Sequence, residues 1–368
     1  MYDLEQIKKQ NVIRGGWAIR VYYEELIARQ LEGESIDFLN PSFFIENSFG
    51  FSANNTYKKL SKIFNLNFEQ IPLKLDNCIQ NELPIIENIN DLPDKLQVEF
   101  WIEKLKEFLD TNDGNLTKNI NDLNSKDRFT KVDSKEILYK WSFPIIESFY
   151  EFRKDLSYPD IKFLETEMAL DCWRKWYWTS KFNQIFLIYP EERYGFGNNQ
   201  WLIHCLIHDA AHLFHLSNYN QTCNPVLIEN LALMESFAMQ TEYRMYLQFE
   251  QGYEIEEELG TNFNTQIARA FNLIGLLERA FRIIYDKEVH LEKLSPQKWI
   301  DRIKTKYKIE NEIYNFAYEF HGLPGLSTAY MLGMWTLEKE DETEAFLSNP
   351  NNNFIFKLNQ WKDHERNN

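Results

Sequence analysis

Glycine is scarce in this chain. There are 13 in 368 residues, about half the usual share. A fold built on many tight, phosphate-cradling loops is therefore disfavoured. Neither G-x-G-x-x-G nor G-x-x-x-x-G-K-[ST] occurs. Cysteine is scarcer still. Cys78, Cys172, Cys205 and Cys223 are widely scattered and form no C-x-x-C pair. That usage points to a reduced, cytoplasmic chain rather than a disulfide scaffold. No apolar run approaches the roughly 18 residues that a bilayer span needs. The opening MYDLEQIKKQ has no apolar core and no small-residue cleavage site, so no signal peptide is expected. Positive charge is also short, with 40 Lys+Arg against 56 Asp+Glu and a net charge of −16. This argues against sequence-independent binding of nucleic acid, which needs a basic surface. It argues equally against docking on an anionic membrane. A local basic patch is compatible with both arguments.

Apolar material is plentiful. The hydrophobic share is 44%, ordinary for a globular protein and enough for a sizeable core. Length predicts about two domains or one large one. The stretch 111–134 is polar and rich in Asn and Asp, as an exposed loop or linker is. It divides an N-terminal helical and loop-rich region, 1–134, from a helical domain, 135–368. Before the linker, helices are expected over Leu4–Leu31, interrupted at Gly15 and Gly16, and over Leu92–Leu109. After it, KEILYKWSFPIIESFYEFRKDL reads as one helix. FLETEMALDCWRKWYWTSKFNQIFLIY reads as a second, whose end suits a short strand equally well. A helix over NNQWLIHCLIHDAAHLFHLSNY follows. The next opens with Asn224 as N-cap and Pro225 at the first helical position, and runs to about Gly252. Further helices are expected over 261–286, 296–319 and 326–338. The predicted class is mainly α.

Four of the seven histidines fall on one helix: His204, His208, His212 and His215. With Trp201 they are spaced 3, 4, 4 and 3 apart. Such spacings make a single stripe down one helical face. Each imidazole of a buried stripe needs a partner. Two His four apart can hold one metal ion, because their ring nitrogens converge. His204 and His212 are about 12 Å apart along the axis, too far to share an ion. Three pairs remain, 204/208, 208/212 and 212/215. The pair 208/212 spells H-D-A-A-H, the zinc-peptidase H-E-x-x-H with Asp for Glu. In that pattern the residue after the first His deprotonates a water. Asp209 has the right chemistry on a side chain one methylene shorter.

A two-His site needs a third ligand. The helix after Pro225 offers Glu229, Glu235 and Glu242. Glu235 follows His212 by 23 residues, a normal spacing for a His-His-Glu zinc site. Glu242 is seven further on and shares its face, as a ligand or as a hydrogen-bond partner of a ligating His. Tyr330 is suited to donate a hydrogen bond to an oxyanion in a dry cleft. His321 opens a Gly-Leu-Pro-Gly loop just before the helix that carries Tyr330.

Three segments together resemble a known family. Glu235-Ser-Phe-Ala-Met-Gln-Thr-Glu242 is similar to the E-G-W-A-x-Y-x-E segment of a bacterial, all-helical, gluzincin-like family of metallohydrolases. That family carries an H-E-x-x-x-G-H-type or H-E-x-x-H-type helix upstream and a P-G-Q-A-x-S-Y-x-x-G segment downstream. The run from Pro324 to Gly333 looks like the latter, and the order matches over about 200–335. The departures are Asp209 for Glu, Ser236-Phe237 for Gly-Trp, and Leu326 for Gln. The resemblance implies a helical, bundle-like metallohydrolase fold with an extra N-terminal region. It implies His208, His212 and Glu235 as ligands of zinc, or of iron or manganese. It also implies Tyr330 and His321 near the oxyanion. The residues themselves add Asp209 as base, and His204, His215 and Glu242 behind the ligands. The expected activity is zinc-dependent hydrolysis of a peptide or other small amide, with no nucleic-acid or membrane partner.

Three other readings stand beside it. Gly325-Leu-Ser-Thr-Ala329 approaches a serine-hydrolase elbow but ends in Ala and follows no strand. A di-metal carboxylate oxidase would need E-x-x-H pairs, and the nearest pattern is Asp209-x-x-His212. A binding or assembly protein on a degenerate metallopeptidase scaffold fits the Glu-to-Asp departure.

Overall fold

The computed structural model describes residues 94–109, 138–150, 161–165, 175–179, 184–189, 199–218, 228–254, 265–309 and 326–338. The expected helix over Leu4–Leu31, the linker 111–134 and the boundary at 134 lie outside them. So do Asn224, Pro225 and His321. The described residues form a mainly α fold with seven α-helices and one small sheet. A 3-10 turn, Asp94–Leu96, leads into α1, Val98–Phe108. Helix α2, Phe143–Phe149, follows a π turn over Leu138–Ser142. The longer helices are α3, Asn199–Asn218, α4, Ile228–Glu250, and α5, Thr265–Tyr285. A second π turn, Asp286–Leu291, extends α5. Helix α6 spans Pro296–Tyr307 and α7 spans Leu326–Glu338. Among the described helices none is long and apolar enough to cross a membrane.

Three helical expectations are corrected. Within the second segment of 135–190 a mixed sheet stands where a helix was expected, and its last strand is the short strand that the end of the segment equally suited. Its strands are β1, Ile161–Glu165, β2, Lys175–Thr179, and β3, Gln184–Tyr189. β3 is central, parallel to β1 (Ile161 opposite Ile185) and antiparallel to β2 (Lys175 opposite Ile188). The cause is composition: KWYWT and QIFLIY are short runs of aromatic and β-branched residues, which suit a pleated surface. The helix expected over 135–156 ends at Phe149, where Tyr150 turns extended (φ −136°, ψ 146°). Its first described turn, Leu138–Ser142, is π rather than α, and the α geometry begins at Phe143, next to Pro144. Proline has no N–H for the preceding turn and is accommodated only near a helix start. The helix expected over 296–319 stops at Tyr307, because Lys308 is left-handed (φ 54°, ψ 33°).

The core is built from α3, α4, α5 and α7. Every residue of α3 from Ile207 to His215 is buried, and every residue of α5 from Ala270 to Ile283. A helix buried all round is a central helix rather than an amphipathic cover. α4 packs most extensively on α7 and then on α3, while α5 touches α1, α3, α4 and α7. Apolar side chains fill the seams: Phe214 on α3, Phe237 and Met239 on α4, Phe281 on α5, Met334 on α7. Trp101 of α1 is fully buried, edge-on to Tyr243 and Tyr246 of α4.

Candidate metal centre

α3 brings His208 and His212 to the inside of this core because residues four apart share a helical face. α4 lies alongside and presents Glu235 to the same point. The Nε2 atoms of the two imidazoles are 3.0 Å apart. Oε2 of Glu235 is 3.4 Å from Nε2 of His208 and 3.2 Å from Nε2 of His212. A zinc ion with ligands at about 2.0–2.2 Å in tetrahedral array keeps its ligand atoms about 3.3 Å apart. The three separations fit that figure. Oε2 of Glu235 is buried and receives no well-directed hydrogen bond, although two ring nitrogens lie this close. These three atoms lie close together, and they are the group of three able to share an ion among the described residues.

The second nitrogen of His208 has its own partner. Nδ1 sits 2.6 Å from Oε1 of Glu242, whose side chain is fully buried. The same Oε1 accepts from Nη2 of Arg279 on α5 at 3.2 Å. Arg279 in turn reaches Glu278 (3.4 Å) and the carbonyl of Gly275 (3.2 Å). Asn272 donates to the backbone carbonyl of Glu242 at 3.1 Å. A carboxylate on the far nitrogen fixes the ring's tautomer and leaves Nε2 free to ligate.

The electrostatics follow. Burial alone would push His208 down. The Glu242 and Glu235 carboxylates outweigh it, so His208 holds its proton more tightly than usual without an ion. Burial would push Glu235 up, but the two imidazoles beside it, His212 foremost, hold it well below the usual carboxylate range. His215 is pushed down to about 3 by burial and by His212. Arg279 is raised: burial opposes its charge, and Glu242 and Glu278 more than compensate. An ion on His208, His212 and Glu235 would have to displace the proton that His208 holds, so its affinity would rise with pH.

The other expected site residues fall as follows. Asp209 is next to His208 on α3 and 2% exposed. Tyr330 of α7 is brought to the centre: its ring is parallel to that of His208, 5° apart in plane and 6.4 Å between centroids. His215 is fully buried and packs edge-on against Phe237 at 5.6 Å, so it is not brought into the three-ligand group. His204 and Glu229 lie on α3 and α4 with side chains outside the described set. The sequence reading expected the helix α5 but assigned none of its residues to the site. Arg279 and Arg282 are buried on that helix and Asp286 on the π turn that extends it, and the Arg282 guanidinium lies 5.1 Å over the Tyr330 ring. Their signal was present: charged residues at spacings of 3 and 4 inside the apolar run LIGLLERAFRIIYD.

No family model and no curated protein matches this chain. The chain is similar in fold to the crystal structure described as "the putative lipoprotein from Colwellia psychrerythraea". The TM-score is 0.52 at 12% identity, over 97% of this chain and 69% of that one. At that identity the likeness concerns the fold alone.

Proposed function

We propose that the protein is a metal-dependent hydrolase of a peptide or other small amide, with zinc held by His208, His212 and Glu235. One observation carries this reading: the convergence of two Nε2 atoms and one carboxylate oxygen at 3.0–3.4 Å. The resemblance of the segments at 208–212, 235–242 and 324–333 to a gluzincin-like family supports it. A bound divalent ion supplies a Lewis acid that polarises the amide carbonyl and acidifies water. The chain's own residues do the rest. Glu242 and Arg279 hold the His208 ring in one orientation. Asp209 follows the first ligand and accepts the proton of the attacking water. The Tyr330 hydroxyl donates to the oxygen that gains charge. The surrounding core excludes bulk water, which strengthens each of these interactions. The single three-ligand group among the described residues fits one ion rather than the pair a di-metal oxidase needs. Cysteine usage supports a cytoplasmic address.

The test begins with metal content by mass spectrometry on untagged protein, beside His212→Ala. About one zinc per chain, lost in the variant, is expected. A peptide and amide panel then follows, with Asp209→Asn alongside. Turnover that Asp209→Asn leaves intact would falsify the base assignment. Stoichiometric zinc with no turnover on any amide favours the second reading, a binding protein on this scaffold. The shorter Asp209 in place of Glu is what motivates that reading.

A further inference from the structure

Arg279 and Arg282 lie three residues apart on α5, and Asp286 follows four later, at the start of the π turn that extends it. Each meets a different part of the centre. Arg279 holds Glu242, Arg282 covers Tyr330, and Asp286 grips the start of α7. Oδ2 of Asp286 accepts from the backbone N–H of Thr328 at 2.9 Å and from its hydroxyl at 2.7 Å. Both residues are completely buried. Thr328 is the third residue of α7. Its N–H is one of the four that a helix cannot satisfy from within. The residue before α7 is Gly325, which has no side chain to cap with. The cap comes from 42 positions upstream, and a carboxylate there also meets the positive end of the helix dipole. Asp286 begins the π turn that extends α5. Such turns are inserted where a side chain must be redirected, and they concentrate at functional sites.

Two residues beyond Thr328 stands Tyr330, whose ring is parallel to the His208 ring and lies 5.1 Å from the Arg282 guanidinium. Two hydrogen bonds to one carboxylate set both the height and the rotation of the first turn of α7. We propose that Asp286 is a positioning residue: its buried grip on Thr328 fixes the register of α7 so that Tyr330 stays parallel to the His208 imidazole. The use made of Tyr330 rests on the hydrolase reading; the geometry of the grip does not.

The test uses the full chain with tyrosine labelled with carbon-13 at Cζ. The Tyr330 resonance is assigned by its loss in Tyr330→Phe. In Asp286→Ala it is expected to move and broaden. In Asp286→Asn, which keeps one acceptor oxygen, it should stay closer to the wild-type position. Ile303→Ala, in the buried face of α6, serves as a destabilised control and should leave it in place. If Asp286→Ala does not fold, Thr328→Val removes half of the grip and should shift the resonance the same way. On any confirmed substrate, Asp286→Ala should lower kcat about 10- to 100-fold. KM should stay within about twofold, since substrate binding is untouched. An unmoved resonance in Asp286→Ala or Thr328→Val overturns the proposal, as does an equal shift in Ile303→Ala. A wild-type protein without turnover counts against the hydrolase reading and leaves the resonance test standing.

Discussion

Glu242 never meets the ion in the proposed centre, yet it is as buried as any ligand and touches both His208 and Arg279. Replacing it with Gln keeps the shape and removes the charge. A metal-ligating His that loses its carboxylate partner typically costs about 10- to 100-fold in metal affinity. Glu242→Gln should therefore bind zinc that much more weakly in a chelator competition, while the fold persists. Glu235→Gln removes a ligand and should lose the ion outright. At this scale the sequence was informative where the chemistry is periodic. The spacing of His208 and His212 and the seven-residue step from Glu235 to Glu242 placed four side chains correctly on two faces. It was silent on Arg279, because which carboxylate an arginine meets depends on how α5 crosses α4. No one-dimensional pattern encodes that crossing.

Helix ends carry their own predictions. α6 opens at Pro296 after Ser295, whose hydroxyl accepts from the N–H of Lys298 at 3.4 Å. That cap is long, so Ser295→Ala should cost about 0.5–1 kcal/mol, toward the low end for such caps. The other end of α6 is closed by Lys308 in the left-handed region, with its N–H on the carbonyl of Lys304. Left-handed backbone costs an ordinary residue about 1–2 kcal/mol, and glycine next to nothing. Lys308→Gly is thus expected to stabilise the protein by about 0.5–1 kcal/mol in urea denaturation, the gain being trimmed by glycine's greater freedom when unfolded. A loss of stability would mean that the Lys308 side chain makes a compensating contact. The same residue explains a limit of the sequence reading. The apolar period runs on past Tyr307, whereas the stop is a backbone state that Lys adopts without any Gly, Asn or Pro to announce it. The sheet was legible only at its last strand. β1 and β2 are five residues each, too short for the period to separate strand from helix before their pairing with β3 is known.

For the whole molecule, pH and metal are linked. His215 sits near 3 in the folded metal-free protein and near its ordinary value of about 6.5 when unfolded. Between these values the unfolded chain binds a proton that the folded one refuses. Stability is then highest above the unfolded value and falls as pH drops through that window, by up to about 1.4 kcal/mol per pH unit from this group. His208 acts in the opposite sense. Its raised value adds stability below the unfolded value, and that stability is lost as pH rises through the folded one. The clean comparison is wild type against His215→Gln without metal: the variant should lose less stability between pH 7 and pH 5. Parallel losses would show that His215 is not held neutral. Zinc at about a hundredfold its Kd should add about 2.7 kcal/mol, readable as a higher midpoint temperature.

The three proposed ligands also have an order in time. All lie on α3 and α4, with Glu235 only 23 residues after His212, so closing the loop between them is cheap. Arg279, Asp286 and Tyr330 come later in the chain. On a ribosome moving at about 5–20 residues per second, α7 emerges several seconds after α4 is complete. The proposed ligands are thus all made before the residues that orient them. Metal supplied during synthesis would then give a different yield of folded protein from the same metal added afterwards.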